Sequence, residues 1–347
     1  MSQTHPIVDA LKLLLDNRAD LKQALENAIT KANLPKWFHD LPSFYDFIGK
    51  QVVQIPENSN AMANMDLAYF YVLDVSEDEI LVNDPEFRQW NLDFNNAWAD
   101  FLDTEKSRAH LDSYIKDPNF RIDDYQVAPS GWHSFNQFFA RETKPGKRPI
   151  ANHCDPGTVV SPADCQIKDV RTIAADDTIE VKKAHLKISE LMADSQYADA
   201  FEGGLLMSAY LQMYDYHRMH VPAAGKVLEA KKIPGTVGLQ IEAEGDMLIP
   251  IPQLGFQFTQ DRGLLVLETD AMGLVALIPV GMVQISSVVL TAEVGVELYK
   301  GEEFGYFQFG GSNIIMLTQK DRFELDITAS HMKWLQGVQI GKALPAK

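Results

Sequence analysis

The chain has 347 residues, a formal net charge of −17 and two cysteines, and 46% of its residues are hydrophobic. This length predicts two domains, or one large domain with an accessory, and the composition is ample for a buried core. The acidic charge argues against nucleic acid as a partner, because phosphate binding needs clustered lysine and arginine. It also argues weakly against docking on an anionic membrane surface.

Targeting and redox features are absent from the sequence pattern. The N-terminal stretch carries no long apolar segment typical of a signal peptide, and no stretch is apolar enough to span a bilayer. Cys154 and Cys165 form neither a disulfide framework nor a zinc pattern. We therefore expect a cytoplasmic protein without a metal, and a homo-oligomer is compatible with the sequence.

Residues 1–130 are predicted to be helical, because apolar residues recur at helix spacing. The first helix is expected to begin near Ile7 and to end near Pro35, since proline cannot continue a helix. Two further helices are expected to begin near Leu41 and Asn64.

A fourth helix, from about Asp84 to Leu102, carries an aromatic-rich face. This face is interpreted first as core packing against the other helices and second as a substrate platform. Its members are Phe87, Trp90, Leu92, Phe94, Trp98 and Phe101.

The hydrophobic pattern changes after a connector at residues 127–160. The proline and glycine content of this connector indicates a domain boundary. The segment SFNQFFARE within it predicts a short helix. From Val159 onward, short apolar runs bounded by turn residues predict a twisted antiparallel sheet or sandwich, interrupted by one short helix at about 186–193. The predicted strands are 158–161, 205–212, 225–231, 237–242, 263–269, 273–280, 283–291, 306–309 and 313–318.

Strands and helices do not alternate along the chain, so a doubly wound α/β fold is not expected. The predicted fold class is α+β. A helical N-terminal accessory domain, residues 1–130, precedes a mainly antiparallel β catalytic domain, residues 131–347.

Three polar clusters in the β-rich region could carry chemistry. Asp164 follows the apolar run and turn VVSPA, His217 and His220 lie in YDYHRMHVP, and Ser312 follows Gly310 and a second glycine. Each cluster alone is compatible with an ordinary turn or surface loop, and the histidine pair is also compatible with half of a metal site. Together they suggest a nucleophile, a base and a group that orients the base.

The glycines before Ser312 favour an unusual backbone. A strained Gly–Ser peptide can bring the serine oxygen within reach of the preceding carbonyl carbon. An ordinary serine hydrolase is not favoured, because Ile314 stands where the second glycine of a nucleophile elbow belongs and a strand is predicted next.

Four segments, in this order, resemble the phosphatidylserine decarboxylase family of pyruvoyl-dependent enzymes. They are FFARETKPGKRPI at 138–150, SPADC at 161–165, DYHRMHVPAAG at 215–225 and KGEEFGYFQFGGSN at 300–313. The resemblance spans about residues 131–341, and the joint order of the motifs is far more specific than any one of them.

The resemblance implies that the chain cleaves itself between Gly311 and Ser312. The Ser312 oxygen is expected to attack the Gly311 carbonyl and give an ester. Elimination and loss of ammonia would then leave a covalent pyruvoyl group, the cofactor, on residue 312. The products would be fragments 1–311 and 312–347.

The resemblance also implies the roles of the polar residues. His220 is expected to be the base that activates Ser312, Asp164 to orient His220, and His217 to contact substrate or transfer a proton. A substrate amine is expected to form a Schiff base with the pyruvoyl group, which accepts the electrons released as carbon dioxide leaves. His217 or His220 would reprotonate the carbon.

Two positions beside this expected site depart from the family pattern. Cys165 replaces the usual glycine after Asp164, and Asn313 replaces the usual threonine after Ser312. Neither change removes a catalytic group, but both border the expected site and could affect rate and substrate choice.

The substrate is less constrained by the sequence. The N-terminal region, especially residues 83–107, resembles the L-tryptophan decarboxylase branch of the family, which favours a soluble aromatic amino acid. One alternative is a phosphatidylserine decarboxylase that works peripherally at membranes on the phospholipid head group and makes phosphatidylethanolamine. A second alternative is an unprocessed, non-enzymatic binding module.

Overall fold

The computed structural model describes residues 5–181, 184–235, 240–245, 247–250, 255–282, 288–326 and 332–344. It confirms the predicted α+β class: helices occupy the N-terminal part, and mainly antiparallel strands follow. The helices are α1 Pro6–Asn17, α2 Ala19–Ala32, α3 Leu41–Gln51, α4 Asn60–Asp74, α5 Ile80–Asn83, α6 Pro85–Leu102, α7 Leu111–Ile115, α8 Phe135–Phe139 and α9 Ile188–Leu191.

The first predicted helix is two helices, α1 and α2. Arg18 interrupts it, with backbone angles (φ −125°, ψ 85°) outside the helical region. Its guanidinium pairs with Asp20 at 2.8 Å and reaches Asp84, at the start of α6, at 2.9 Å. The second helix ends at Ala32 because Asn33 adopts a left-handed conformation (φ +50°) just before Pro35.

The β-rich part is built around an eight-stranded antiparallel sheet. Its strand order is β13-β7-β10-β11-β15-β5-β2-β17. The other sheets are the three-stranded β1-β18-β16 and β12-β14-β6 and the two-stranded β3-β4 and β8-β9. The strands are β1 Thr158–Val160, β2 Cys165–Thr172, β3 Thr178–Val181, β4 Ala184–Lys187, β5 Leu205–Leu211, β6 Arg218–His220, β7 Gly225–Ile233, β8 Ile241–Glu244, β9 Met247–Pro250, β10 Arg262–Thr269, β11 Gly273–Met282, β12 Val288–Leu290, β13 Glu297–Leu298, β14 Glu303–Phe307, β15 Gly311–Thr318, β16 Phe323–Leu325, β17 Lys333–Trp334 and β18 Gln339–Ala343.

The predicted strands mostly match these bounds, but the predicted strand 306–309 corresponds to β14 at Glu303–Phe307, and two others fall partly outside the described residues. The predicted strand 237–242 is described only from residue 240, and the predicted strand 283–291 is described only from Val288. Strands such as β2, β6 and β16 were not predicted, because short or charged segments pair here only through their neighbours in the sheet.

Both faces of the large sheet are buried. Side chains alternate between the two faces along each strand, so neighbouring residues enter different cores. In β15, Ile314 and Met316 pack into the core that contains the N-terminal helices, whereas Ile315 and Leu317 pack into the core under α9. Ser312 is two residues before Ile314, so its side chain lies on the same face. This face, covered by the N-terminal helices, is called the helix-covered face.

The aromatic face of α6 packs in the core, as the first interpretation predicted. Phe87, Trp90, Phe94 and Trp98 are all buried, and Trp90 and Phe94 stack with ring centroids 5.8 Å apart. One hydrophobic cluster joins these helical residues to the sheet across residue 130. The division into two domains at that point stays a prediction.

The start of α6 offers a test of the helical part. Asp84 caps this helix by accepting hydrogen bonds from the backbone N–H groups of Glu86 (2.9 Å) and Phe87 (3.0 Å). We expect Asp84→Ala to lower the free energy of unfolding by about 1–2 kcal/mol, because two N-terminal donors lose their acceptor. Urea denaturation of the variant and the wild type measures the change in the free energy of unfolding.

The control is Asp93→Ala, which removes an exposed carboxylate from the middle of the same helix. It should change the unfolding free energy by less than about 0.5 kcal/mol. Equal losses in the two variants would contradict the capping role of Asp84.

Candidate active site

Ser312 is the second residue of β15, in the middle of the large sheet. It lies opposite Gly281 of β11 on one side and Leu211 of β5 on the other, and it is 1% exposed. Gly310, just before the strand, has φ +144°, a conformation that favours glycine. Strand pairing on both sides therefore fixes the backbone of Ser312, directly after a glycine with an unusual backbone conformation.

His217 is the histidine that contacts Ser312. Its Nδ1 lies 3.2 Å from Ser312 Oγ, and its Nε2 lies 3.1 Å and 3.3 Å from the carbonyl oxygens of Gln212 and Met213. Carbonyl oxygens only accept, so Nε2 carries the proton. Nδ1 is then the free acceptor, and Ser312 O–H donates to it.

The connection between β5 and β6 explains this contact. β5 ends at Leu211, opposite Ser312, so residues 212–217 leave the sheet directly beside the serine. The carbonyls of that connection hold the imidazole edge. The ring of Phe139, on α8, stacks on the face of His217 with centroids 3.9 Å apart.

Burial sets the charge of this histidine. His217 is fully buried, and desolvation, with the nearby Arg141 guanidinium, lowers its pKa to about 3. The imidazole is neutral at pH 7, which is the form that can accept a proton. A neutral base with a donor serine 3.2 Å away is chemically able to activate that hydroxyl.

His220 uses its two ring nitrogens elsewhere. Nδ1 donates to the carbonyl of Gly301 at 2.9 Å, and Nε2 accepts from the Tyr216 hydroxyl at 3.1 Å. Burial lowers its pKa to about 4, so it too is neutral at pH 7. The structure thus brings Ser312 to His217 and brings His220 to Tyr216, whereas the sequence predicted His220 beside Ser312.

Gly301 explains part of the KGEE motif. It has φ +83°, and a Cβ at this position would lie 2.4 Å from Ile150 Cδ1. Only glycine fits this conformation and this close approach without displacement. The carbonyl that holds His220 therefore depends on a glycine of the motif.

Asp164 is paired with Arg148 rather than with His220. Its Oδ1 accepts from Arg148 Nε at 2.8 Å and from the Gln336 backbone N–H at 2.8 Å, and its Oδ2 accepts from Arg148 Nη2 at 2.6 Å. Both side chains are about 3% exposed. The guanidinium also lies 5.8 Å from the Tyr216 ring centroid, and the Tyr216 hydroxyl donates to His220, so Arg148 and Tyr216 form a chain of contacts from Asp164 to His220.

The structure adds residues that contact the histidines or Asp164 and were not predicted as site residues, among them Phe139, Arg148 and Tyr216. The sequence held a signal for each of them, because Phe139 and Arg148 belong to FFARETKPGKRPI and Tyr216 belongs to YDYHRMHVP. Their contacts depend on which strands become neighbours, and the motif alone does not give that.

Cys165 and Asn313, two positions that depart from the family pattern, lie on β2 and β15. Cys165 is buried at the start of β2, and burial raises the pKa of its thiol to about 12. Asn313 donates to Ser208 Oγ at 3.0 Å. Its side chain lies on the opposite face of the sheet from Ser312, because neighbouring residues of a strand alternate.

Comparisons with known proteins identify the family. The family model for phosphatidylserine decarboxylase matches residues 135–344. The phosphatidylserine decarboxylase proenzyme of Anoxybacillus flavithermus is 32% identical over 243 residues, which are 67% of this chain and 86% of that protein. The chain belongs to the phosphatidylserine decarboxylase family, whose members are carboxy-lyases with a covalent pyruvoyl group made from serine by self-cleavage.

Some relatives are much longer than this chain. Phosphatidylserine decarboxylase proenzyme 2 of Komagataella phaffii is 30% identical over 233 residues, which are 65% of this chain but 22% of that protein. Proenzyme 2 of Oryza sativa subsp. japonica is 29% identical over 226 residues, 65% of this chain and 34% of its own length. The helices before residue 135 lie outside the family match, and their resemblance to the tryptophan decarboxylase branch stays a prediction.

Among the residues that the structure describes, no helix combines the length and the apolar character needed to cross a bilayer.

The Arg148–Asp164 pair provides a test of this site's architecture. We expect Arg148→Met to lower the free energy of unfolding by about 3–5 kcal/mol, because a buried carboxylate loses its partner. Chemical denaturation measures the loss.

The matched control is Arg171→Met, which breaks the Arg171–Asp169 ion pair of 2.9 Å, whose side chains are 39% and 26% exposed. Exposed pairs contribute about 0–1 kcal/mol. A loss in Arg148→Met no larger than in this control would show that the buried pair does not organise the site.

Proposed function

We propose that this chain is a pyruvoyl-dependent decarboxylase that processes itself between Gly311 and Ser312. The observation that carries the proposal is the hydrogen bond between Ser312 Oγ and a buried, neutral His217 at 3.2 Å. The family match supports the same reaction class. The serine is buried at a glycine turn, which fits a residue that becomes a prosthetic group.

In the proposed self-cleavage, His217 Nδ1 accepts the proton of the Ser312 hydroxyl. The oxygen attacks the Gly311 carbonyl carbon, and the peptide C–N bond breaks as its nitrogen takes up a proton. The product is an ester between Gly311 and the serine side chain. Elimination of that ester releases Gly311 as a carboxylate, and hydrolysis with loss of ammonia leaves the pyruvoyl group.

The pyruvoyl group supplies an electron sink for decarboxylation once it is formed. The chain's own residues supply placement and proton transfer. His220 and Tyr216 form a second buried hydrogen-bonded pair near the first. We propose that this pair handles a proton in the decarboxylation, and that Asp164 supports it through Arg148.

The first substrate class to test is phosphatidylserine. The relatives described above carry that name, and the match covers the four segments singled out in the sequence. A soluble tryptophan-like substrate, the first expectation from the sequence, is not supported by these comparisons, which favour the alternative. The family match also argues against an unprocessed binding module.

Self-cleavage is tested on a denaturing gel. We expect the wild-type chain to give fragments 1–311 and 312–347, and Ser312→Ala to stay intact and inactive. His217→Gln should slow cleavage by at least about 100-fold, because the base is removed. The rate should stay nearly constant from pH 8 to pH 6, because the pKa of His217, lowered to about 3, keeps the ring neutral there.

His220→Gln is the matched control for the position of the base. On this geometry it cleaves faster than His217→Gln and loses decarboxylase activity instead. If His220→Gln fails to cleave while His217→Gln cleaves normally, His220 is the base and the assignment to His217 is wrong.

Substrate class is tested with the processed wild-type protein. We expect carbon dioxide release from vesicles that contain phosphatidylserine, and at least about 100-fold less from tryptophan or free serine at equal concentration. Both amino acids lack the phospholipid portion of the substrate and therefore its binding energy. Ser312→Ala supplies the blank. Release from tryptophan alone would overturn the phospholipid assignment and leave the self-cleavage proposal intact.

A further inference from the structure

The segment before the cleavage position is anchored in an aromatic pocket. Phe309, two residues before Gly311, is 2% exposed. Its ring makes edge contacts with three others, with centroid distances of 6.1 Å to Trp98, 4.9 Å to Phe135 and 5.7 Å to Phe139. Trp98 lies on α6, so part of this pocket comes from the helices outside the family match.

The backbone of Phe309 is held as well. Its N–H donates to Asn136 Oδ1 at 3.2 Å. The amide nitrogen of Asn136 donates in turn to the Ala99 carbonyl at 3.3 Å and to Asp103 Oδ1 at 3.1 Å. One buried asparagine thus ties the segment to the C-terminal end of α6.

The same pocket holds the proposed base. Phe139 contacts Phe309 on one side and stacks on His217 at 3.9 Å on the other. Beyond Phe309, only Gly310 and Gly311 separate the anchored ring from Ser312 in the paired strand β15. The peptide to be cleaved therefore begins the paired strand at Gly311, and Gly310 (φ +144°) is the residue between that strand and the anchored ring.

We propose that the N-terminal helices act as a brace for self-cleavage, with Trp98 and Asn136 as positioning residues that hold the Gly311–Ser312 peptide against His217. The inference rests on the proposed self-cleavage and extends it to residues that do not touch the reacting atoms. Loss of the brace leaves Gly310 free to change its conformation and to move the Gly311 carbonyl away from Ser312 Oγ. A displacement of about 1 Å can cost a reaction about 100-fold.

Trp90 provides a matched control on the same helix. Trp90 and Trp98 are both buried, and each indole N–H donates to a backbone carbonyl, that of Ile7 at 2.9 Å and that of Gln54 at 3.2 Å. Trp90 packs against Phe87 and Phe94 in the helical core. Replacing either tryptophan by alanine removes the same volume, but only Trp98 contacts Phe309.

The experiment follows cleavage of pulse-labelled full-length chains after cell-free synthesis. We expect Trp98→Ala and Asn136→Ala to cleave at least about tenfold more slowly than Trp90→Ala, and Trp98→Phe to stay within about threefold of wild type. Unfolding midpoints are measured on the same variants. Hydroxylamine, which cleaves esters, should not restore the rate, because the defect precedes ester formation.

The outcomes separate this inference from the proposed function. Equal cleavage rates in Trp90→Ala and Trp98→Ala, or full rescue by hydroxylamine, would overturn the brace while self-cleavage stands. Should Trp98→Ala fail to fold, Asn136→Ala decides, and a normal rate in that variant overturns the inference. A wild-type chain that remains a single band overturns both proposals.

Discussion

The structure depends on the pairing of β15 between β11 and β5. A strand with neighbours on both sides has its backbone groups satisfied and its side chains fixed in alternation. This places Ser312 on the helix-covered face of the sheet, opposite Leu211, where β5 ends and residues 212–217 begin. The position of the candidate nucleophile and the approach of His217 both follow from this register. A slip of one residue would turn the hydroxyl to the other face.

Two buried polar systems contain the candidate residues. Ser312 and His217 form one system. The other ring nitrogen of His217 donates to backbone carbonyls, and Phe139 stacks on its ring. Asp164, Arg148, Tyr216 and His220 form the second. Burial keeps both histidines neutral. In the proposed function His217 serves self-cleavage and His220 serves decarboxylation, and each histidine has its own side-chain hydrogen-bond partner.

The helical part is joined to this chemistry through packing. α6 supplies Trp98 to the pocket of Phe309, and Asn136 on α8 connects the end of α6 to the same segment. The aromatic face of α6 therefore fills the core and also touches the turn before Ser312. Core residues with such a double role are recognised only when their neighbours are known, because packing against a functional segment leaves no separate pattern in the sequence.

The sequence by itself determined the class of fold, the approximate helices and strands, the four family segments and the candidate residues Asp164, His217, His220 and Ser312. Periodicity and local turn chemistry carry that information, because they act over a few neighbouring residues. Only the tertiary structure decided the partners: Ser312 meets His217, Asp164 meets Arg148, and Phe309 meets Trp98. Those partners are separated by 16 to 211 positions along the chain. Such contacts are fixed by strand order and register, which depend on the whole sheet rather than on any one segment.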